Sequence, residues 1–132
     1  MHTRKKDLAG LITLADRRDF LDIQSNGKKW VAGGLILQVK ENSLGLKRIG
    51  FTVSKRVDKS AVKRNRIKRR LRAVAADVIS AHAKCGCDYI LVGKRSTPDR
   101  SYATLVNDLK WCLKKTGYYH KTVRDNETDG ND

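Results

Sequence analysis

The stretch SAVKRNRIKRRLRAV, Ser60 to Val74, carries seven cationic side chains in fifteen residues while keeping isoleucine, leucine and valine at helical spacing. At 100° per residue, Ile67, Leu71, Val74 and Val78 form one narrow stripe that has to face a core. Asn65, Lys68, Arg69 and Arg72 fall on a second stripe roughly 140° away, with Arg66 and Arg70 in a third sector. Such a helix can only be the outer layer of something, greasy beneath and cationic above. The pattern predicts a helix from about Val62 to about Ala83. Arg64 would collide with the apolar stripe unless it precedes the regular turns or snorkels outward, which points to a regular start near Arg64.

The rest of the chain supplies a small sheet for that helix to cover. DRRDFLDIQSNG reads as a short first helix, with Asp16 as N-cap, an apolar side of Phe20, Leu21 and Ile23, and Gly27 as a left-handed stop. In GGLILQVKE, Leu35, Leu37 and Val39 alternate with Ile36, Gln38 and Lys40, the period of a strand with one buried face. RIGFTVS alternates in the same way, and the ENSLG turn between the two suggests an antiparallel hairpin. DYILVG, Asp88 to Gly93, is apolar throughout and fits a strand covered on both faces. A last helix runs from an N-cap at Ser101 to Gly117, with Leu105, Leu109 and Leu113 on one side. The predicted order is αββαβα, an α+β two-layer sandwich built on a small mixed sheet.

Length and an apolar content of 39% suffice for one core. The expected organisation is a flexible basic N-terminus (1–11), a single domain (12–120) and a flexible acidic tail (121–132), since RDNETDGND has no apolar residue to contribute. MHTRKKDLAGLITLA imitates a secretory signal, but Gly10 and Thr13 break its apolar run and DRRD follows at once. A cytoplasmic protein is expected, and no stretch approaches the ~20 apolar residues of a membrane span. Cys85, Cys87 and Cys112 are odd in number and argue against a disulfide framework. His82, Cys85 and Cys87 crowd together, yet structural zinc uses four ligands in spaced pairs, so no metal site is expected in the chain.

A formal net charge of +15 makes the isolated chain repel itself and calls for an anionic partner, with nucleic acid foremost. Within the basic helix, acidic residues at i±4 are missing; Asp58 and Asp77 lie outside the cluster. Cations near a helix N-terminus are also disfavoured by the macrodipole. Free N–H groups and guanidinium forks can, however, act together on one phosphate, which offsets the local cost. Charge alone does not choose the polyanion: a ribosomal or other structural RNA-binding protein fits, and so does a duplex-DNA reader using Asn65 and Arg69 in the major groove. No paired carboxylates and no nucleophile with a nearby base occur, so no protein catalytic residues are expected.

In RIGFTVSKRV followed by SAVKRNRIKRRLR, with RRDFL upstream and DYILVG…SYATLVNDLKWCLKK downstream, the chain resembles the protein component of bacterial ribonuclease P. The likeness runs over roughly residues 12 to 116, and the family's Arg-Asn-Arg motif stands here as Arg64, Asn65 and Arg66. The resemblance implies a left-handed βαβ crossover through the basic helix. It implies partnership with a catalytic RNA and cleavage of the 5′ leader from precursor tRNA, with Mg²⁺ bound mainly by the RNA and no obligate protein partner. By position it assigns Lys55, Arg56, Lys63, Arg64, Asn65, Arg66, Lys68, Arg69 and Arg72 to the RNA subunit. Phe20, Ile36 and Gln38 fall to a cleft for the single-stranded leader. Some relatives carry aromatic residues where this chain has Gln24 and Gln38, so its cleft offers more polar contact and less stacking.

Overall fold

The computed structural model describes residues 10–120. Its elements are β1 (Ile12–Thr13), α1 (Arg17–Asn26), β2 (Lys28–Val31), β3 (Leu35–Glu41), β4 (Arg48–Thr52), α2 (Ala61–His82), β5 (Cys87–Gly93), a 3₁₀ turn (Thr97–Asp99) and α3 (Tyr102–Thr116). The sheet runs β1-β4-β5-β3-β2, with β1, β4 and β5 mutually parallel and β3 antiparallel to both β5 and β2. The expected tail 121–132 lies outside the described residues, as does most of the expected N-terminal arm. Leu11, placed in that arm by sequence, packs against the core.

β5 decides the topology. Tyr89, Ile90 and Leu91 are all fully buried, so this strand needs cover on both faces and takes the centre of the sheet. It pairs Leu37 with Leu91 on one side and Phe51 with Leu91 on the other. The expected hairpin between β3 and β4 is therefore wrong: β5 lies between them. The link from β3 to β4 crosses that gap with left-handed Ser43 and Gly45 (φ 63 and 72). Alternation identifies a strand's buried face; it carries no information about the strand's neighbour. The four-residue β2 and two-residue β1 went unread because both are exposed and too short for a period.

Both long helices cover one face. Leu35, Leu37, Val39, Ile49, Tyr89 and Leu91 meet Ile67, Leu71, Val74 and Val78 of α2 and Leu105, Leu109 and Leu113 of α3 in one core. Each fully buried leucine there contributes about 1.5–3 kcal/mol. The apolar stripe of the basic helix thus lies where its spacing requires. On the opposite face α1 covers a smaller cluster of Leu14, Ile23 and Ile90, flanked by Phe20 and Val92.

Caps fix the helix ends. Asp16 accepts from the Arg18 amide at 2.9 Å, and Ser101 accepts from Thr104 at 3.1 Å. Gly117, the expected end of the last helix, is left-handed (φ 89). Gly27 is not; its backbone is extended. Glycine is required there for closeness, since a Cβ would stand 2.6 Å from the Ile23 and Val39 carbonyl oxygens. α2 starts at Ala61, a turn before the regular start expected near Arg64, because Ser60 caps it by accepting from Lys63 N at 3.3 Å.

Candidate nucleic-acid interface

The first turns of α2 hold their cations in two different ways. Arg64 escapes the core by turning back, donating to the Asp58 and Lys59 carbonyls at 2.9 Å each. Arg70 reaches across to the Arg100 carbonyl at 2.6 Å, and the half-buried Arg72 stacks over Phe51. Among the described residues, the side chains of Lys55, Arg56, Lys63, Asn65, Arg66, Lys68 and Arg69 have no hydrogen-bond or ionic partner. The result is a ridge whose anchored arginines brace the fold and whose free ones point outward. Lys47 holds the far end of α2, donating to the Ile79 and Ser80 carbonyls at 3.0 and 2.8 Å. Burial lowers its pKa.

Beside the ridge lies a groove of about 440 Å³ between α1, β4 and α2, lined by Arg17, Phe20, Leu21, Gln24, Phe51 and Lys68 among others. Phe20 packs against the smaller core, as its helical spacing allows, and also lines the groove. Its ring sits where Gly50 leaves space, since a Cβ there would stand 2.5 Å from Phe20 Cζ. Ile36 and Gln38 are on the same sheet face, opposite Val92 and Ile90. They do not line that groove; β5 separates them from β4. The Gln38 side-chain oxygen is buried with no partner. The structure therefore brings Phe20 to Lys68 and leaves Ile36 and Gln38 further along the face.

The ion pairs that hold α1 in place were not found from sequence. Arg48 bonds both oxygens of the buried Asp88 at 2.7 Å and reaches Asp19 of α1 at 3.5 Å. The Asp88 hydrogen bond, with the two carboxylate charges, holds the Arg48 guanidinium above its usual pKa. Asp22 pairs Lys40 at 2.6 Å, and that hydrogen bond lowers the Asp22 pKa. Asp88 opens a strand read as apolar, and only the fold brings Arg48 beside it.

Among the described residues no group of three His, Cys, Asp or Glu side chains could hold a metal ion. No helix there is long and apolar enough to cross a membrane. Fold and site together define a basic α+β protein with a ridge of unpaired cations beside a groove lined by Phe20 and Phe51.

The ribonuclease P family model matches residues 8–117. A ribonuclease P protein component from Paramagnetospirillum magneticum is 44% identical over 122 residues, covering 86% of this chain and 89% of that one. One from Gluconacetobacter diazotrophicus is 41% identical over 105 residues, 79% and 90% of the two chains. The solved structure of the Staphylococcus aureus RNase P protein overlays with a TM-score of 0.68 at 25% identity, covering 82% of this chain and 97% of that one. The chain belongs to the ribonuclease P protein family. It is a part of an RNA-based endonuclease, and its partner is an RNA.

Proposed function

We propose that the ridge of α2 grips the catalytic RNA while the groove between α1, β4 and α2 receives the leader of precursor tRNA. The reaction is that of the family: the chain is the protein subunit of ribonuclease P, which cuts the 5′ leader endonucleolytically in tRNA maturation. One observation carries the division of surfaces: the free cations of α2 have no intramolecular carboxylate among the described residues, while Phe20 and Lys68 meet in a groove at their foot. Phosphates are held by such cations regardless of sequence, and unpaired bases stack on aromatic rings at about 1–3 kcal/mol each.

Among the described residues no acidic cluster fits a Mg²⁺ ion: no three His, Cys, Asp or Glu side chains group together, and Asp16, Asp19, Asp22, Asp88 and Asp108 are engaged by Arg or Lys. Mg²⁺ is accordingly assigned to phosphate oxygens of the RNA. The protein's part is electrostatic: Lys63, Arg66, Lys68 and Arg69 reduce repulsion between the catalyst and substrate backbones. No obligate protein partner is required by this scheme. Action in the cytoplasm suits it, with Cys85, Cys87 and Cys112 as free thiols.

Two variants separate the surfaces. Arg66→Ala is expected to weaken binding of ribonuclease P RNA and leave leader recognition in the assembled complex intact. Phe20→Leu is expected to raise KM for precursor tRNA with a long leader, with RNA-subunit binding unchanged and no effect once the leader is trimmed to a single nucleotide. Equal losses on both substrates for Phe20→Leu, in a stably folded variant, would remove the leader from the groove.

A further inference from the structure

The outer edge of the sheet carries a second aromatic and cationic surface, away from the ridge. β2 is the edge strand, and its Trp30 and Lys28 project toward α3, since they stand opposite Leu37 and Val39, whose side chains enter the core beneath that helix. The Lys115 ammonium lies 4.5 Å from the Trp111 ring centre and 5.7 Å from that of Trp30. Cys112 donates to the Trp30 carbonyl at 3.6 Å, which fastens strand and helix together. Lys114 stands over Tyr119 at 4.9 Å and Lys28 over Tyr118 at 5.3 Å. Trp111 nevertheless remains 50% exposed and Trp30 37%.

Large indoles half in water, interleaved with lysines, are what single-stranded nucleic acid uses: a base stacks on the ring while its phosphate meets the ammonium. We propose that Trp30, Trp111 and Lys115 form a stacking site for an unpaired nucleotide of the catalytic RNA. This rests on the reading of the α2 ridge given above. α2 and α3 cover the same face of the sheet, so RNA lying on the ridge can continue across the helical layer to this edge; the Phe20 groove borders α1, on the other face. Charge disfavours a second copy of the chain as occupant. A twofold contact through β2 and α3 would set Lys115 and Lys114 against their own copies, on chains of +15 each, and among the described residues neither lysine has a carboxylate partner to relieve it.

Trp30 and Trp111 are the only tryptophans in the chain, so intrinsic tryptophan emission reports on this site alone. The probe is a ribonuclease P RNA transcript titrated into the full chain at several salt concentrations. Emission is expected to fall as the RNA binds and to stay unchanged when precursor tRNA alone is added at the same concentration. Trp111→Leu is expected to weaken RNA binding about fivefold or more, the lower bound for one lost stacked base, with an unaltered salt slope. Lys115→Gln is expected to lower the slope by about one. Thermal melting of both variants excludes misfolding as the cause. RNA bound at full affinity by Trp111→Leu, or with no change in emission, overturns the proposal while leaving the ridge intact. A free chain that sediments as a dimer, and loses that state in Trp111→Leu, overturns it in favour of a second copy. Failure of the transcript to bind the unaltered chain overturns the ridge reading and this one together, and is told apart by that.

Discussion

The guanidinium of Arg72 lies 5.4 Å from the centre of the Phe51 ring, joining the basic face of α2 to the wall of the groove. Arg69, one turn earlier, touches nothing comparable. Arg72 therefore braces the fold as well as belonging to the proposed RNA face, whereas Arg69 has no such bracing contact.

Arg72→Ala is expected to lower thermal stability by about 1 kcal/mol, through the lost cation–π contact and stem packing, as well as weakening RNA binding. Arg69→Ala is expected to leave melting unchanged while lowering the salt slope of RNA binding by about one unit. Calorimetric melts and binding at several salt concentrations check the pair. A stability loss in Arg69→Ala equal to that in Arg72→Ala contradicts this difference.

Asp88 and Arg48 are a nearly dry pair, with Asn42 donating to the same carboxylate at 2.8 Å. Asp88→Ala leaves the partly exposed Arg48 guanidinium with Asp19 as its one carboxylate among the described residues, and a loss of about 1–3 kcal/mol is expected in urea unfolding. A double variant that replaces both partners with apolar residues of similar volume is expected to recover part of that loss. No recovery would mean that Asp88 acts mainly through Asn42.

Gly50→Ala adds a methyl group beneath the Phe20 ring. The ring must move, at about 1–3 kcal/mol, and it moves within the groove. Weaker binding of leader-bearing precursor tRNA is expected, with binding of the RNA subunit unaltered. Equilibrium binding with each RNA separates the two outcomes.

The thiols make a test of burial. Desolvation raises the Cys87 pKa and pushes Cys112 up to about 12, while Cys85 is exposed. At pH 8 the Cys112 thiol stays protonated and unreactive, since the thiolate is the nucleophile. Mass spectrometry after brief alkylation is expected to find the label on Cys85 alone in the folded chain, and on all three cysteines in denaturant. The sign also runs with pH: above about 9, the ordinary thiol value, the unfolded chain ionises Cys112 first and stability falls as pH rises toward 12.

The parts of the structure legible in the sequence are those with a period. Ile67, Leu71, Val74 and Val78 gave the buried stripe of α2, and Leu35, Leu37 and Val39 the buried face of β3, because spacing alone states which side is apolar. The order of strands was misread at β3 and β4, since an alternating strand does not announce its neighbour. Arg48, Asp19 and Asp88 were missed because pairs separated by tens of residues have no local signature. Trp30 and Trp111 escaped for the same reason: they meet only after β2 and α3 have docked. At the ridge, the residue types were plain from spacing, while the split between bracing arginines (Arg64, Arg70, Arg72) and free cations (Lys63, Arg66, Lys68, Arg69) required the contacts of the folded chain.

The most direct measurement is cleavage of precursor tRNA across a magnesium series by ribonuclease P RNA alone, with the chain, and with a Lys63, Arg66 and Arg69 triple alanine variant. At low magnesium, cleavage is expected only with the unaltered chain; at high magnesium, the RNA alone and the RNA with the triple variant are expected to match it. RNA that stays inactive without the chain at every magnesium concentration, or a triple variant as effective as the original at the lowest, would contradict an electrostatic role for the ridge.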